Sequence, residues 1–202
     1  AVNVVVADPA TLLAPGGPFF LIAGPWVLED DALNVSVGVA LARLAEELRL
    51  PVIYKASFDK ANRSRPDAAR GPGLRQGLER LARVKRETGL PVLTDVHESW
   101  QPAEVAQTVD VLQVPAFLCR QTDLIVAAAA TGRPLNIKKG QFMSPQEMSL
   151  AAEKVRSTGN PNVMLTERGT FFGYNRLVND FTGLEVMRQT GCPVVFDITH
   201  ST

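Results

Sequence analysis

The sequence predicts an α/β protein: a (β/α)8 TIM barrel lacking its C-terminal strand and helices, laid out as a single domain over residues 1–202. Three observations predict it. Short runs of apolar or β-branched residues recur along the chain, and segments of helical period lie between them. Most of the runs are apolar throughout rather than alternating, which is how strands buried on both faces of a parallel sheet read. Parallel strands are joined by right-handed crossovers, usually through helices.

Taken in order, the opening Val2 to Val6 run is expected to form a small hairpin closing the barrel floor. The first strand is read at Phe19-Phe-Leu-Ile-Ala23. Gly24-Pro25-Trp26 follows it, where an open dinucleotide-binding sheet would carry G-x-G-x-x-G, so a closed barrel is preferred. Leu33, Val37, Leu41, Leu44 and Leu48 step along one apolar face of the first long helix. Pro51-Val-Ile-Tyr54, Pro91-Val-Leu-Thr94, Val111-Leu-Gln-Val114, Leu135-Asn-Ile137, Val163-Met-Leu-Thr166 and Val194-Val-Phe196 supply the later strands. Helical patterns follow Pro72, Ser99, Gln121 and Asn175. Another opens at Ser144-Pro145-Gln146-Glu147, where the Ser can cap and the Glu can close a capping box. The residues end at Thr202, just after the last run, whereas a barrel of this kind typically takes about 250 residues. That is the ground for expecting an incomplete C-terminus.

Composition narrows the partners. Lys and Arg number 21 against 21 Asp and Glu, so the formal net charge is zero and neither a nucleic-acid-binding patch nor an acidic tail is expected. The aliphatic run Leu124 to Ala130 is far short of the roughly 20 residues that span a bilayer, and no membrane partner is expected. Ala1-Val2-Asn3 lacks the cationic start of a secretory signal, which leads to a cytoplasmic expectation. Cys119 and Cys192 fit no C-x-x-C pattern and read as small buried hydrophobes.

In a barrel of this class the active site gathers at the carboxyl ends of the strands. Lys55, Ser57, Lys60, Asn62, Arg63 and Ser64 follow the second run, and Asp95, His97 and Glu98 the third. Gln113 and then Pro115-Ala116-Phe117 belong to the fourth, Lys138-Lys139-Gly140 to the fifth, Glu167-Arg168-Gly169 to the sixth, and Asp197-Ile-Thr-His200 to the seventh. Lys55, Lys60, Arg63, Lys138 and Arg168 would thus converge on one mouth of a protein with no net charge. Converging cations repel unless something compensates. A substrate with several anionic groups does so, and Arg suits bidentate phosphate contact. The structural alternative pairs Lys55 with Asp95 and Arg168 with Glu167. Alternation along the fifth strand points Lys139 away from Lys138. Gly71-Pro72-Gly73 reads as a turn into a helix, with a phosphate seat as its second meaning.

Specific motifs then come together. Lys55-Ala-Ser-Phe-Asp-Lys-Ala-Asn-Arg-Ser64, Arg70-Gly-Pro-Gly73, Thr94-Asp-Val-His-Glu98, Gln113-Val-Pro-Ala-Phe117, Arg120-Gln-Thr-Asp123, Asn136-Ile-Lys-Lys139 and Phe196-Asp-Ile-Thr-His200 closely resemble the 3-deoxy-D-manno-octulosonate 8-phosphate synthases, also called 2-dehydro-3-deoxyphosphooctonate aldolases. The resemblance runs from about Phe19 to the last residue. The first motif separates this group from the related 3-deoxy-D-arabino-heptulosonate 7-phosphate synthases. The resemblance implies a homotetramer of barrels that condenses phosphoenolpyruvate with arabinose 5-phosphate, releases phosphate and feeds lipopolysaccharide assembly. It assigns Lys138, Arg168 and the backbone at Ala116 to the phosphoenolpyruvate phosphate. Lys55, Ser57, Lys60 and Gln113 would hold its carboxylate and reacting end. Asn62, Arg63 and Ser64 would take the sugar phosphate, with Asp95 near the sugar hydroxyls. Lys60, Asp95 and His200 would carry the catalytic roles, Lys60 and His200 moving protons or polarising oxygen.

One departure concerns metal. Metal-dependent members of the family carry Cys after Gly-Pro and metal-independent ones Asn; this sequence has Trp26. No cofactor is expected, a divalent metal stays open, and His200 is the one remaining candidate ligand. Two other functions stand beside the synthase: a non-catalytic phosphosugar-binding relic, and a Schiff-base aldolase using Lys55 or Lys138.

Overall fold

The structure, a computed structural model, describes residues 8–14 and 16–201. The Val2 to Val6 run lies outside the described residues. The chain divides into two compact units, the first built on Gly16–Asp95 and Glu104–Val111, the second on Val96–Ala103 and the residues from Leu112 onward.

The first unit holds α1 (Pro9–Leu12), β1 (Leu21–Val27), α2 (Asp31–Leu48), β2 (Val52–Ser57), α3 (Leu74–Thr88) and β3 (Val92–Asp95). β1, β2 and β3 lie side by side in chain order and pair in parallel. β1 continues past the expected Ala23, through Gly24-Pro25-Trp26 to Val27. A bulge makes this possible: Ala23 pairs with Tyr54 and Trp26 with Ala56, so Gly24 and Pro25 together face Lys55. A β-carbon on Gly24 would stand 1.9 Å from the Lys55 carbonyl oxygen, so only glycine fits there. Trp26 leaves the bulge in the left-handed region, at φ 67°.

α2 opens on Asp30, whose side chain accepts a 2.9 Å hydrogen bond from the Leu33 amide. The expected leucine face is not the buried one. Asn34, Gly38, Ala42 and Ala45 face inward, while Leu33, Leu44 and Leu48 are exposed. A β-carbon at Gly38 would come within 3.0 Å of Val84 and Thr88 on α3. The close approach of α2 and α3 admits only small residues, and the leucines are turned outward.

α4 (Gln101–Val105) and β4 (Val111–Val114) cross the division. The second unit continues with a 3₁₀ turn at Ala116–Leu118, α5 (Thr122–Ala130), β5 (Leu135–Lys138), α6 (Met148–Arg156) and β6 (Val163–Glu167). It ends with β7 (Thr170–Phe171), β8 (Leu177–Val178), α7 (Thr182–Arg188) and β9 (Val194–Phe196). β4, β5, β6 and β9 pair in parallel, again in chain order. The helical pattern expected after Asn175 starts only at Thr182. A short antiparallel hairpin of β7 and β8 precedes it, with Asn175 at φ 56° near its tip. The capping box before α6 forms: Glu147 accepts from the Ser144 amide and hydroxyl at 2.8 and 3.0 Å.

Parallel strands in chain order, with helices between them, are the (β/α)8 barrel class that the sequence predicts. Cys119 and Cys192 are both buried, as expected. Among the described residues, no helix is long and apolar enough to cross a membrane.

Candidate active site

In the first unit the polar residues collect at the ends of β2 and β3. The Ser57 hydroxyl is fully buried and central. It accepts hydrogen bonds from Lys55 Nζ at 3.1 Å and Lys60 Nζ at 2.9 Å, and donates to Asp95 Oδ2. One donor and two acceptor positions are all that a serine hydroxyl has. Lys55 also stands 3.7 Å from Asp95, which realises the pairing weighed in the sequence. Two ammonium groups and one carboxylate thus meet on a fixed, buried hydroxyl. That is the chemistry of an anion seat.

The loop after β2 extends this seat. Its ends are tied by a hydrogen bond from the Lys60 amide to Arg70 O at 2.7 Å and by the Arg70–Asp59 ion pair. The Gly73 amide donates to Phe58 O at 3.0 Å, so Gly71-Pro72-Gly73 acts as turn chemistry closing the loop onto β2. Arg63 is half-buried and donates to Ala69 O at 3.1 Å; Asn62 and Ser64 are exposed on the same loop. Lys60 and Arg63 both lie over the Trp26 ring, 4.4 and 4.5 Å from its centroid.

The second unit holds a second polar group. Lys138 Nζ donates to Asp197 Oδ2 at 2.5 Å, and His200 Nδ1 meets the same oxygen at 2.8 Å. Asp197 was not singled out from the sequence as a site residue, yet it joins two that were. Burial would raise its pKa, but the His200 hydrogen bond and the Lys138 charge outweigh burial and hold it far below the usual carboxylate range. Arg168 is half-buried, and desolvation lowers its pKa against the raising effect of Asp197 and Glu167.

Beside them runs a buried row. Thr166 Oγ1 donates to Asn136 Oδ1 at 2.7 Å, and Asn136 Nδ2 donates to Gln113 Oε1 at 2.8 Å. Asn136 and Thr166 were missed in the sequence. The signal was present: Asn136 is two residues from Lys138, so strand alternation sets both on one face. Ala116 opens the 3₁₀ turn after β4, and its carbonyl lies 3.1 Å from where a β-carbon on Gly140 would stand.

Lys139 does point away from Lys138, and into a fully buried pocket. Its ammonium stands 3.4 Å from Glu167 Oε1, 3.0 Å from Thr170 Oγ1 and 3.3 Å from Gly169 O. Glu167 does not pair with Arg168 through its side chain as weighed in the sequence. It accepts the Arg168 and Gly169 amides at 2.9 and 2.7 Å instead, which fixes the backbone under Arg168.

A metal fits these residues poorly. The Trp26 indole offers no ligand atom, and cations lie over its face. His200 turns Nδ1 to Asp197, which is itself bound to Lys138. Among the described residues, no group of three or more His, Cys, Asp or Glu side chains is assembled to hold an ion.

Parallel strands bearing clustered polar and cationic residues at their carboxyl ends define a barrel-class protein, and comparison with known proteins supplies the family. The chain belongs to the DAHP synthetase I family, whose model it matches over residues 5–202. Within it, the chain is similar to proteins named 2-dehydro-3-deoxyphosphooctonate aldolase. It is 56% identical over 184 residues to that of Acidithiobacillus ferrooxidans, covering 91% of this chain and 66% of that protein. It is 52% identical over 197 residues to that of a Cyanothece species, covering 98% and 72%. The chain thus spans just under two thirds of the length of the first of these relatives.

Proposed function

We propose that this chain condenses phosphoenolpyruvate with arabinose 5-phosphate and water, giving 3-deoxy-D-manno-octulosonate 8-phosphate and inorganic phosphate. The observation that carries the reading is the sharing of one buried hydroxyl, Ser57, by two ammonium groups and one carboxylate. The relatives' name supports the same reaction. In this reading Lys138, Arg168 and the backbone at Ala116 take the phosphoenolpyruvate phosphate. Lys55, Ser57, Lys60 and Gln113 take its carboxylate and reacting end, and Asn62, Arg63 and Ser64 take the sugar phosphate, with Asp95 at the sugar hydroxyls.

The chemistry asks for such groups. Carbon three of the enol phosphate attacks the sugar aldehyde, and the developing alkoxide is stabilised by positive charge already in place. Water adds at carbon two, and the tetrahedral intermediate expels phosphate by carbon–oxygen cleavage. Lys60 and His200 hold or move the protons, with Asp197 fixing the His200 ring by its Nδ1. Lys55 and Lys138 each lie within ion-pair distance of a carboxylate, Asp95 and Asp197; an imine-forming aldolase would use one of them as its nucleophile. The resemblance further supports a homotetramer working toward lipopolysaccharide assembly, and the composition supports a cytoplasmic one.

The test measures phosphate release from phosphoenolpyruvate with arabinose 5-phosphate, with erythrose 4-phosphate, and with no sugar. Release is expected only with arabinose 5-phosphate. Equal turnover with erythrose 4-phosphate would reject the substrate, and binding of phosphoenolpyruvate without release would favour the relic.

A further inference from the structure

We propose that the Trp26 indole is a positioning platform that seats two cations at once, Arg63 for the sugar phosphate and Lys60 for the reacting end of phosphoenolpyruvate. This deepens the reading of Asn62-Arg63-Ser64 as a phosphate-monoester site and rests on it. Three independent features of the first unit converge on the indole.

The first is what the ring touches. The Lys60 ammonium and the Arg63 guanidinium lie 4.4 and 4.5 Å from its centroid, both within the reach of a cation–π attraction. Each cation has a second anchor elsewhere: Ser57 Oγ for Lys60 and the Ala69 carbonyl for Arg63. Two like charges brought to one ring repel each other, and the negative face of the indole offsets that repulsion without supplying a carboxylate. A carboxylate there would neutralise the cations and compete with an incoming phosphate. An aromatic ring orients the cations without adding an anion of its own.

The second feature is the backbone. Trp26 holds φ 67°, a conformation uncommon for a bulky residue and costly unless the surroundings impose it. The bulge in β1, with Gly24 against the Lys55 carbonyl, aims residue 26 in this direction. Glycine would meet the backbone requirement without strain.

The third is exposure. Trp26 remains 41% exposed, so apolar burial does not account for a tryptophan at a strained position. Its contact with the two cations does.

The platform is tested first without ligand. In a Trp100→Phe background, which leaves Trp26 as the sole indole, Lys60→Met and Arg63→Met should each uncover the ring and raise acrylamide quenching of its emission. Calorimetry with arabinose 5-phosphate follows. Trp26→Leu should weaken binding by about fivefold to thirtyfold, the scale of two exposed-to-partly-buried cation–π contacts, while Trp26→Phe stays within about threefold of the parent. The penalty of Arg63→Met should shrink in the Trp26→Leu background, since the platform is already gone; a merely structural tryptophan leaves that penalty unchanged. Unchanged quenching in both cation variants, or parental affinity in Trp26→Leu, overturns the proposal. If Trp26→Leu does not fold, quenching decides. If the parent itself binds no arabinose 5-phosphate, the functional reading falls while quenching still judges the platform.

Discussion

Asp197 shows how one residue can set the behaviour of its neighbours. Lys138 and His200 meet on its carboxylate, with the Arg168 charge nearby. A carboxylate depressed in the folded state contributes stability that is fully present above its unfolded value, about 3.9, and lost as pH falls through the folded one. The folded value lies well below, so the contribution persists through mild acid. Asp197→Asn should therefore destabilise the protein at pH 5, and the gap from the parent should narrow as pH falls below about 4. Urea unfolding at several pH values measures it. A gap that widened in acid would show that another group governs Asp197.

Among the elements, the strands were legible because a buried parallel strand is apolar along its whole length. Val111–Val114 and Val194–Phe196 have the limits the sequence gives them. β1 was misread because Gly and Pro normally end a strand, and a bulge cannot be seen in composition. α2 was placed correctly but rotated wrongly, because the leucine stripe outweighed the small residues that actually enter the contact. Candidate polar residues were legible where they sit at strand ends. Asn136 lies level with Gln113 and Thr166 with Lys138 across the sheet, so depth does not set them apart; short neutral side chains simply gave no signal of charge. Asp197 was placed at a strand end but given no role, because nothing in the sequence tells a buried carboxylate from a solvated one. Small residues make a sharp test of element packing. A β-carbon on Gly77 would stand 2.3 Å from Phe58 Cβ, so Gly77→Ala on α3 should cost about 1–3 kcal/mol. Gly89, just after the same helix, has open space and φ 71°, so Gly89→Ala should cost only the left-handed penalty of about 1–2 kcal/mol and leave packing untouched. Denaturation midpoints together with the near-ultraviolet circular dichroism spectrum separate the two, since only Gly77→Ala disturbs aromatic packing.

For the whole molecule, the balance of 21 cations against 21 anions removes net repulsion between copies. The chain also presents apolar side chains to solvent: Leu44 and Leu48 on α2 are 46% and 63% exposed. If the homotetramer proposed above forms, this face of α2 is a candidate for covering by a second copy. The charge-neutral pair Leu44→Lys and Leu48→Glu should lower the apparent mass in sedimentation at neutral pH. It should leave unfolding free energy within about 0.5 kcal/mol, the range for surface changes. An unchanged mass would show that this face takes no part in assembly. The buried ammonium of Lys139 has the opposite character. Five oxygens surround it, from the end of β6, the turn after β5 and the first residue of the hairpin. In effect the chain carries its own coordinated ion, bound to the backbone by four methylenes. Chelators cannot extract such an ion, and it has no concentration that a cell must maintain. The stretch that holds Lys138 and Arg168 in place is thus insulated from the ionic composition of its surroundings, even though the anions those two residues would bind are not.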